Sequence, residues 1–268
     1  MEIKNLLSTF MASAALVGFA SPVTAQTAEF SEDFGTIANG TTITTSNTNL
    51  AYVRTGSGAP SITAINPSSF GSGSSASIQA TGGSLTGIGA KNTLTSSNVY
   101  TLSVDFLISD VSAGDIVFGV GSGTAFTTAN TFITSNGLFW LQSDSGNFER
   151  RTSSGWSNTG LTLQDNTSYS LHVVANGSSS DISYGGASVA AGTMDIYVDD
   201  ALLADDRTVT NSLQADGFRI YSVNGALAEI DNIALYASAV AVPEPGTYAL
   251  LAGLLALASV MLRRRSVK

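Results

Sequence analysis

The chain has 268 residues, a formal net charge of −9 and no cysteine; 12% of its residues are charged and 43% hydrophobic. Without cysteine there is no disulfide scaffold, thiolate metal site or thiol nucleophile, and the acidic excess opposes a nucleic-acid binder that works by neutralising phosphate. The 27 glycines and 67 serines and threonines leave too little Ala, Glu, Lys, Leu and Arg for long helical bundles or coiled coils.

Lys4 lies in a short polar start, followed by an apolar stretch from Leu6 to Ala20 and then Ser21-Pro22-Val23-Thr24-Ala25-Gln26. Small residues at Val23 and Ala25 suit signal peptidase, so residues 1–25 are expected to be a signal-peptide helix cleaved between Ala25 and Gln26. The segment that follows carries six basic residues (Arg54, Lys91, Arg150, Arg151, Arg207 and Arg219) against eighteen acidic ones. The cargo is therefore more acidic than the whole chain, which suits solubility outside the cell and could favour divalent cations.

Residues 26–237 are expected to form one all-β domain. Short runs of β-branched and aromatic residues are broken by Gly, Asn, Asp and Ser, with no capped 3.6-residue period. Glu29–Phe34 and Ala51–Arg54 are the first expected strands; residues 56–75 and 82–97 read as Gly/Ser/Thr/Asn loops. From Tyr100 to Ile108 the pattern alternates, with Tyr100, Leu102, Val104, Phe106 and Ile108 on one face and Thr101, Ser103 and Asp105 on the other. Asp115–Gly121 follows, then a hairpin of Gly137–Ser143 and Gly146–Arg151 turning near Asp144-Ser145. Tyr169–Asn176 turns Tyr169, Leu171, Val173 and Ala175 inward. Met194–Val198 and Ala201–Leu203 flank an Asp199-Asp200 turn, Phe218–Tyr221 precedes Val223-Asn224-Gly225, and Ala228–Tyr236 is the last strand.

Residues 238–247 form a linker ending in Val242-Pro243-Glu244-Pro245-Gly246-Thr247. Its prolines cannot occupy a helix interior. An apolar run from Tyr248 to Leu262 follows, at the lower limit for crossing a bilayer core, and Arg263, Arg264 and Arg265 open a basic tail, 263–268, that would stay cytoplasmic. This order of Pro-Glu-Pro, apolar helix and arginine triplet resembles the PEP-CTERM sorting signal of Gram-negative bacteria. The resemblance implies export, an inner-membrane-anchored precursor, processing near Val242–Pro245 by exosortase, and a destination at the cell surface or in the extracellular polysaccharide or biofilm matrix.

A second resemblance rests on Glu32-Asp33-Phe34 near the start, Tyr197-Val198-Asp199-Asp200 in a late hairpin and Ile230-Asp231-Asn232-Ile233-Ala234-Leu235-Tyr236 as the last strand. Together these resemble the concanavalin A-like lectin/glucanase jelly roll, an antiparallel β-sandwich whose first and last strands pair. The Asp199-Asp200 turn departs from the Asp-Gly of that pattern. Another β-sandwich, or a β-helix, fits the strand spacing too.

Glucanases of this fold use two carboxylates about 5–5.5 Å apart, on a strand motif Glu-x-Asp-x-(x)-Glu. Glu229-Ile230-Asp231 supplies the first half, but Ile233 and Ala234 stand where the second glutamate belongs. His172, the one histidine, falls on the face opposite Leu171 and Val173, and no Gly-x-Ser-x-Gly elbow accompanies it. The expected protein is therefore no enzyme. One histidine and no cysteine leave a zinc site only carboxylates; structural calcium suits the residues better, with Asp199 and Asp200 or Asp231 as ligands. Asp195, Asp205 and Asp206 cluster nearby, but without loop-type spacing, and a solvated hairpin turn is the plainer explanation of the cluster. Sugar binding would use Trp156, which stands in a loop-like Ser/Gly/Asn context, together with Arg150 and Trp140, although Trp140 lies on a strand where a core position is the plainer reading. Extracellular polysaccharide is thus the candidate ligand of a non-catalytic module. A glucanase-like carbohydrate-active enzyme and a purely structural surface protein are the alternatives.

Overall fold

The computed structural model describes residues 26–241 apart from 36, 72, 82–83, 92–93 and 124–133. Seventeen strands account for almost all of its regular structure: β1 (Phe30–Glu32), β2 (Tyr52–Arg54), β3 (Thr63–Ile65), β4 (Ser75–Gln79), β5 (Thr86–Lys91), β6 (Val99–Ile108), β7 (Asp115–Gly121), β8 (Gly137–Asp144), β9 (Asn147–Thr152), β10 (Gly155–Thr162), β11 (Ser168–Asn176), β12 (Ile182–Tyr184), β13 (Ala187–Val189), β14 (Thr193–Val198), β15 (Ala201–Thr208), β16 (Gly217–Val223) and β17 (Leu227–Tyr236). The eight-stranded sheet runs β15-β14-β11-β6-β17-β4-β3 with β1 also on β17; the seven-stranded sheet runs β10-β9-β8-β7-β16-β5-β2. All pairings are antiparallel, and β12-β13 is a separate hairpin.

The alternation of β6 positions the core. Tyr100, Leu102, Val104, Phe106 and Ile108 are buried and share one cluster with Ile116, Phe118 and Val120 of β7 and Phe218 and Ile220 of β16. Phe106 lies at the centre, its ring 5.0 Å from Phe118, 5.5 Å from Tyr169 and 6.3 Å from Phe148. Each such fully buried side chain contributes about 1.5–3 kcal/mol. The first and last strands pair, Phe30 opposite Leu235 and Glu32 opposite Ile233, as the jelly-roll resemblance implies. The Asp199-Asp200 turn closes its hairpin without glycine because both residues adopt left-handed conformations, φ 52° and 62°, which Asp tolerates and a type I′ turn demands.

Two strands replace expected loops. β3 lies within 56–75 and β5 within 82–97, the stretches that read as connections, and β4 starts where the first of them ends. In β5 the glycines are not turn signals. A Cβ at Gly87 would come within 2.5 Å of the Tyr221 Cβ, and one at Gly89 within 2.4 Å of the Phe218 carbonyl, so glycine here makes room for β16. The expected loop around Trp156 is likewise β10, and Ser153-Ser154 forms the turn before it.

Candidate functional site

Two rows of side chains cross the outer face of the seven-stranded sheet. In register, Tyr52 faces Gly89, Gly89 faces Arg219, Arg219 faces Gly119 and Gly119 faces Trp140. One step beyond the Leu141–Arg150 pair the row reaches Arg151, which faces Trp156. The adjacent row is Arg54, Gly87, Tyr221, Val117, Gln142, Glu149 and Asn158. Six strand spacings make each row about 29 Å long.

The middle of this face is packed. Trp140 is 1% exposed and Tyr221 2%, with the indole edge-on to the phenol at 6.3 Å. Trp140 lies over Gly119 and Gly137; a Cβ there would come within 2.1 Å and 1.8 Å of the indole. Arg219, 2% exposed, holds its guanidinium carbon 4.5 Å from the Tyr221 ring centre and 5.7 Å from that of Tyr52. Burial pulls its pKa down, and burial pushes that of Tyr221 up.

The β9–β10 end is open to solvent. Trp156 and Arg151 are half-buried, with the guanidinium carbon 5.4 Å from the indole centre. Gln142 Nε2 donates to Glu149 Oε2 at 2.9 Å. Exposed Asn158 donates to Asn147 Oδ1 at 3.0 Å. The expected trio of Trp156, Trp140 and Arg150 is thus corrected in two places. Trp140 is on the right face but sealed beneath it. Arg150 pairs with Leu141 and Ser157, on the inward side, where its Nη1 donates to the Thr208 carbonyl at 3.4 Å. Burial, then repulsion from Arg207, lowers its pKa. Arg151 takes the place expected for it. Arg219, Tyr221, Tyr52, Gln142 and Glu149 were not expected; their signal is the i, i+2 spacing of Tyr52/Arg54, Trp140/Gln142, Glu149/Arg151, Trp156/Asn158 and Arg219/Tyr221.

The aspartates weighed for calcium do not converge. Asp199 Oδ1 accepts from the Ser170 amide at 2.9 Å in the β14–β15 turn. Asp231 lies opposite Asp105 on β6, and Asp105 opposite Ser170 on β11. Asp231 and the Asp199–Asp200 turn are therefore three strand spacings apart, about 14 Å, too far for one ion with ligands at about 2.3–2.6 Å. Asp231 itself accepts from Ser68 Oγ and the Asn232 amide; desolvation pushes its pKa up to about 6. The residues Asp195, Asp205 and Asp206 do place carboxylate oxygens within 4.8 Å of one another. Asp195, however, already accepts from Tyr184 Oη and the Asp206 amide, and Asp206 from Ala190 and Thr193. A shallow cavity of about 370 Å³ lies between β1 and β17, lined by Glu32, Asp33, Asn49 and Asn232 among others; Glu32 spends its oxygens on the Phe34 and Asn49 amides.

Glu229 and Asp231 are both buried, on the outer side of the eight-stranded sheet under residues 66–70. Glu229 accepts from the Ser69 amide at 2.7 Å, from Ser69 Oγ at 2.6 Å and from Ser75 Oγ. His172 sits on the same outer side, 9% exposed, edge-on to Tyr197 at 6.1 Å. Burial lowers its pKa, against the Val240 carbonyl and Asp200.

The residues of the targeting ends, Ala25, Val242, Pro243, Glu244, Pro245, Arg263, Arg264 and Arg265, lie outside the described residues, as do the expected signal and membrane helices. No helix among the described residues is long and apolar enough to cross a membrane. Gln26, the first described residue, accepts from Ser238 Oγ at 3.2 Å, so the two ends of the sandwich meet.

Residues 241–265 match the family described as "PEP-CTERM protein-sorting motif". The chain carries a PEP-CTERM sorting motif. The motif implies an exported surface protein, anchored in the membrane before processing by exosortase, a membrane protease. No curated protein matches the chain in sequence. The sandwich is similar to "Cellulose induced protein, Cip1", with 10% identity over 80% of this chain and 100% of that one, at a TM-score of 0.50. An endo-β-1,4-glucuronan lyase from the fungus Trichoderma reesei matches at 11% identity, covering 78% of this chain and 95% of the lyase, TM-score 0.48. A sialidase matches at 11% identity over 69% of this chain, TM-score 0.49, and the chain spans only 16% of its length. The likeness to Cip1 is one of fold, an antiparallel jelly-roll sandwich.

Proposed function

We propose that this PEP-CTERM protein is a non-catalytic module of the cell surface or extracellular matrix of a Gram-negative bacterium, and that it binds polysaccharide at the β9–β10 end of its seven-stranded sheet. The observation that carries the reading is the half-exposed Trp156 indole, flanked by Arg151, Glu149, Gln142 and exposed Asn158. A flat indole suits the apolar face of a pyranose, and planar guanidinium, amide and carboxylate groups suit its hydroxyls. Beneath them Trp140, Tyr221 and Arg219 are fully packed, which fixes the platform before a ligand arrives.

The non-catalytic reading is supported by Glu229 and Asp231. Both are buried and engaged by serines, and they belong to the other sheet. A general acid or nucleophile needs access to its substrate.

Binding of the mature protein to a glycan array, with and without Ca²⁺, tests the reading. Trp156→Ala and Arg151→Ala are each expected to weaken binding at least tenfold, with Arg150→Ala close to wild type. Unchanged binding in Trp156→Ala would remove the site. No binding to any glycan would favour a purely structural surface protein.

A further inference from the structure

β17 ends at Tyr236, and the chain does not then run free. Residues 237–241 leave the ladder and cross the outer face of the eight-stranded sheet. Thr101 Oγ1 on β6 donates to the Ser238 carbonyl at 2.7 Å and accepts from the Val240 amide at 3.0 Å. His172 Nε2 on β11 lies 3.2 Å from the Val240 carbonyl. Ala239 packs against the cluster of Val174, Tyr184 and Val189. Ala241 reaches the β12–β13 turn, where its Cβ lies 2.2 Å from the position a Cβ on Gly185 would take, so only glycine admits it. Thr101 is fully buried by this crossing and His172 nearly so.

The sorting motif begins where the crossing ends, at residue 241. Pro243 is two residues beyond, within about 7 Å of the last docked residue even if fully extended. Tyr248, where the apolar run starts, is within about 24 Å. An enzyme that seats chain in an extended form, as strand addition does, needs several free residues on either side. Undocking back to Tyr236 would bring the free reach to Pro243 up to about 24 Å. Cleavage of a folded substrate goes through such local openings and follows their population.

We propose that residues 237–241 are a strap, fastened by Thr101 and His172, that holds the first residue of the sorting motif, Ala241, against the sandwich, so that undocking of the strap sets the rate of processing. The proposal is independent of the glycan reading. Thr101 and His172 are positioning residues in it, acting on the motif through the strap.

The test uses the full-length precursor in cells that contain the processing enzyme, with pulse-chase conversion of precursor to processed form as the readout. Thr101→Val keeps the side chain's shape and removes both of its hydrogen bonds to the strap; conversion is expected to be about tenfold faster. Thr101→Ser restores the hydroxyl and is expected to return the wild-type rate. Inserting six Gly/Ser residues between Val240 and Ala241 lengthens the reach while leaving the motif and the Thr101 and His172 contacts untouched, and is expected to accelerate conversion as much. A folded Thr101→Val precursor, or the insertion variant, converting at the wild-type rate or slower overturns the proposal. If Thr101→Val does not fold, the insertion variant alone decides.

Discussion

Arg219 and Tyr221, two residues apart on β16, form a cation–π pair with the guanidinium carbon 4.5 Å from the ring centre and almost no solvent on either partner. Tyr52, from the neighbouring part of the sheet, adds a second ring at 5.7 Å. The pair joins the β2 edge to the Trp140 packing in the middle of the face. Its chemistry is specific to arginine. A guanidinium is planar and weakly hydrated, whereas an ammonium is a compact charge that burial penalises strongly. Arg219→Lys is expected to lower stability by about 1–3 kcal/mol, measured by urea unfolding. A stability equal to wild type would show that charge, not the flat group, is what the site requires.

Gly119 and Gly137 define the height of Trp140 above the sheet. A methyl group on either would overlap the indole, which is itself buried. Gly119→Ala is therefore expected to cost about 1–3 kcal/mol, as overpacking does, and to change the near-ultraviolet circular dichroism of the tryptophans. Because Trp156 packs against the same cluster, the substitution should also weaken any ligand that Trp156 holds. An unchanged near-ultraviolet spectrum would mean that Trp140 does not lie over Gly119.

How much of this was legible beforehand depends on the residue pattern. β6 was legible because Tyr100, Leu102, Val104, Phe106 and Ile108 alternate with polar residues, and one face buries them all. The Asp144-Ser145-Gly146 and Asp199-Asp200 turns were legible from turn chemistry. β3 and β5 were not, because serine, glycine and asparagine around them read as loop formers, whereas in β5 Gly87 and Gly89 are the small residues that let β16 approach. The rows of the candidate face were half visible. Each pair such as Arg219/Tyr221 or Trp156/Asn158 has strand spacing, but their alignment depends on registers between strands as distant in sequence as β5 and β16. The β12–β13 hairpin left no signal strong enough to place it over Val174.

Tyr184 ties that hairpin down. Its hydroxyl donates to Asp195 and meets Tyr197 Oη at 2.8 Å, and Asp195 is only 1% exposed. Tyr184→Phe removes a donor from a buried carboxylate, so the loss is the desolvation cost left on Asp195, about 1–3 kcal/mol. Urea unfolding measures it, and faster hydrogen exchange confined to β12, β13 and the 237–241 strap would locate it. A loss below about 0.5 kcal/mol, the ordinary range for a surface change, would show that water replaces the phenol.

Asp231 gives stability a pH dependence of definite sign. Its folded pKa, pushed up to about 6 chiefly by desolvation with Asp105 and Asp33 adding repulsion, exceeds the unfolded value of about 3.9. The folded protein therefore binds more protons than the unfolded chain between those values, and stability falls as pH rises through that window. Below about pH 4 both states are protonated and the contribution is complete; above about pH 6 the buried charge opposes folding. Solvent screening keeps the effect to about 1 kcal/mol. Asp231→Asn removes the titration while keeping the shape of the side chain, so its stability relative to wild type should rise by that amount between pH 4 and pH 7. Asp115 and Asp195, also raised by burial, are common to both proteins and cancel in the difference. A difference that stays constant over that range would mean the Asp231 carboxylate is already ionised below pH 4 in the folded protein.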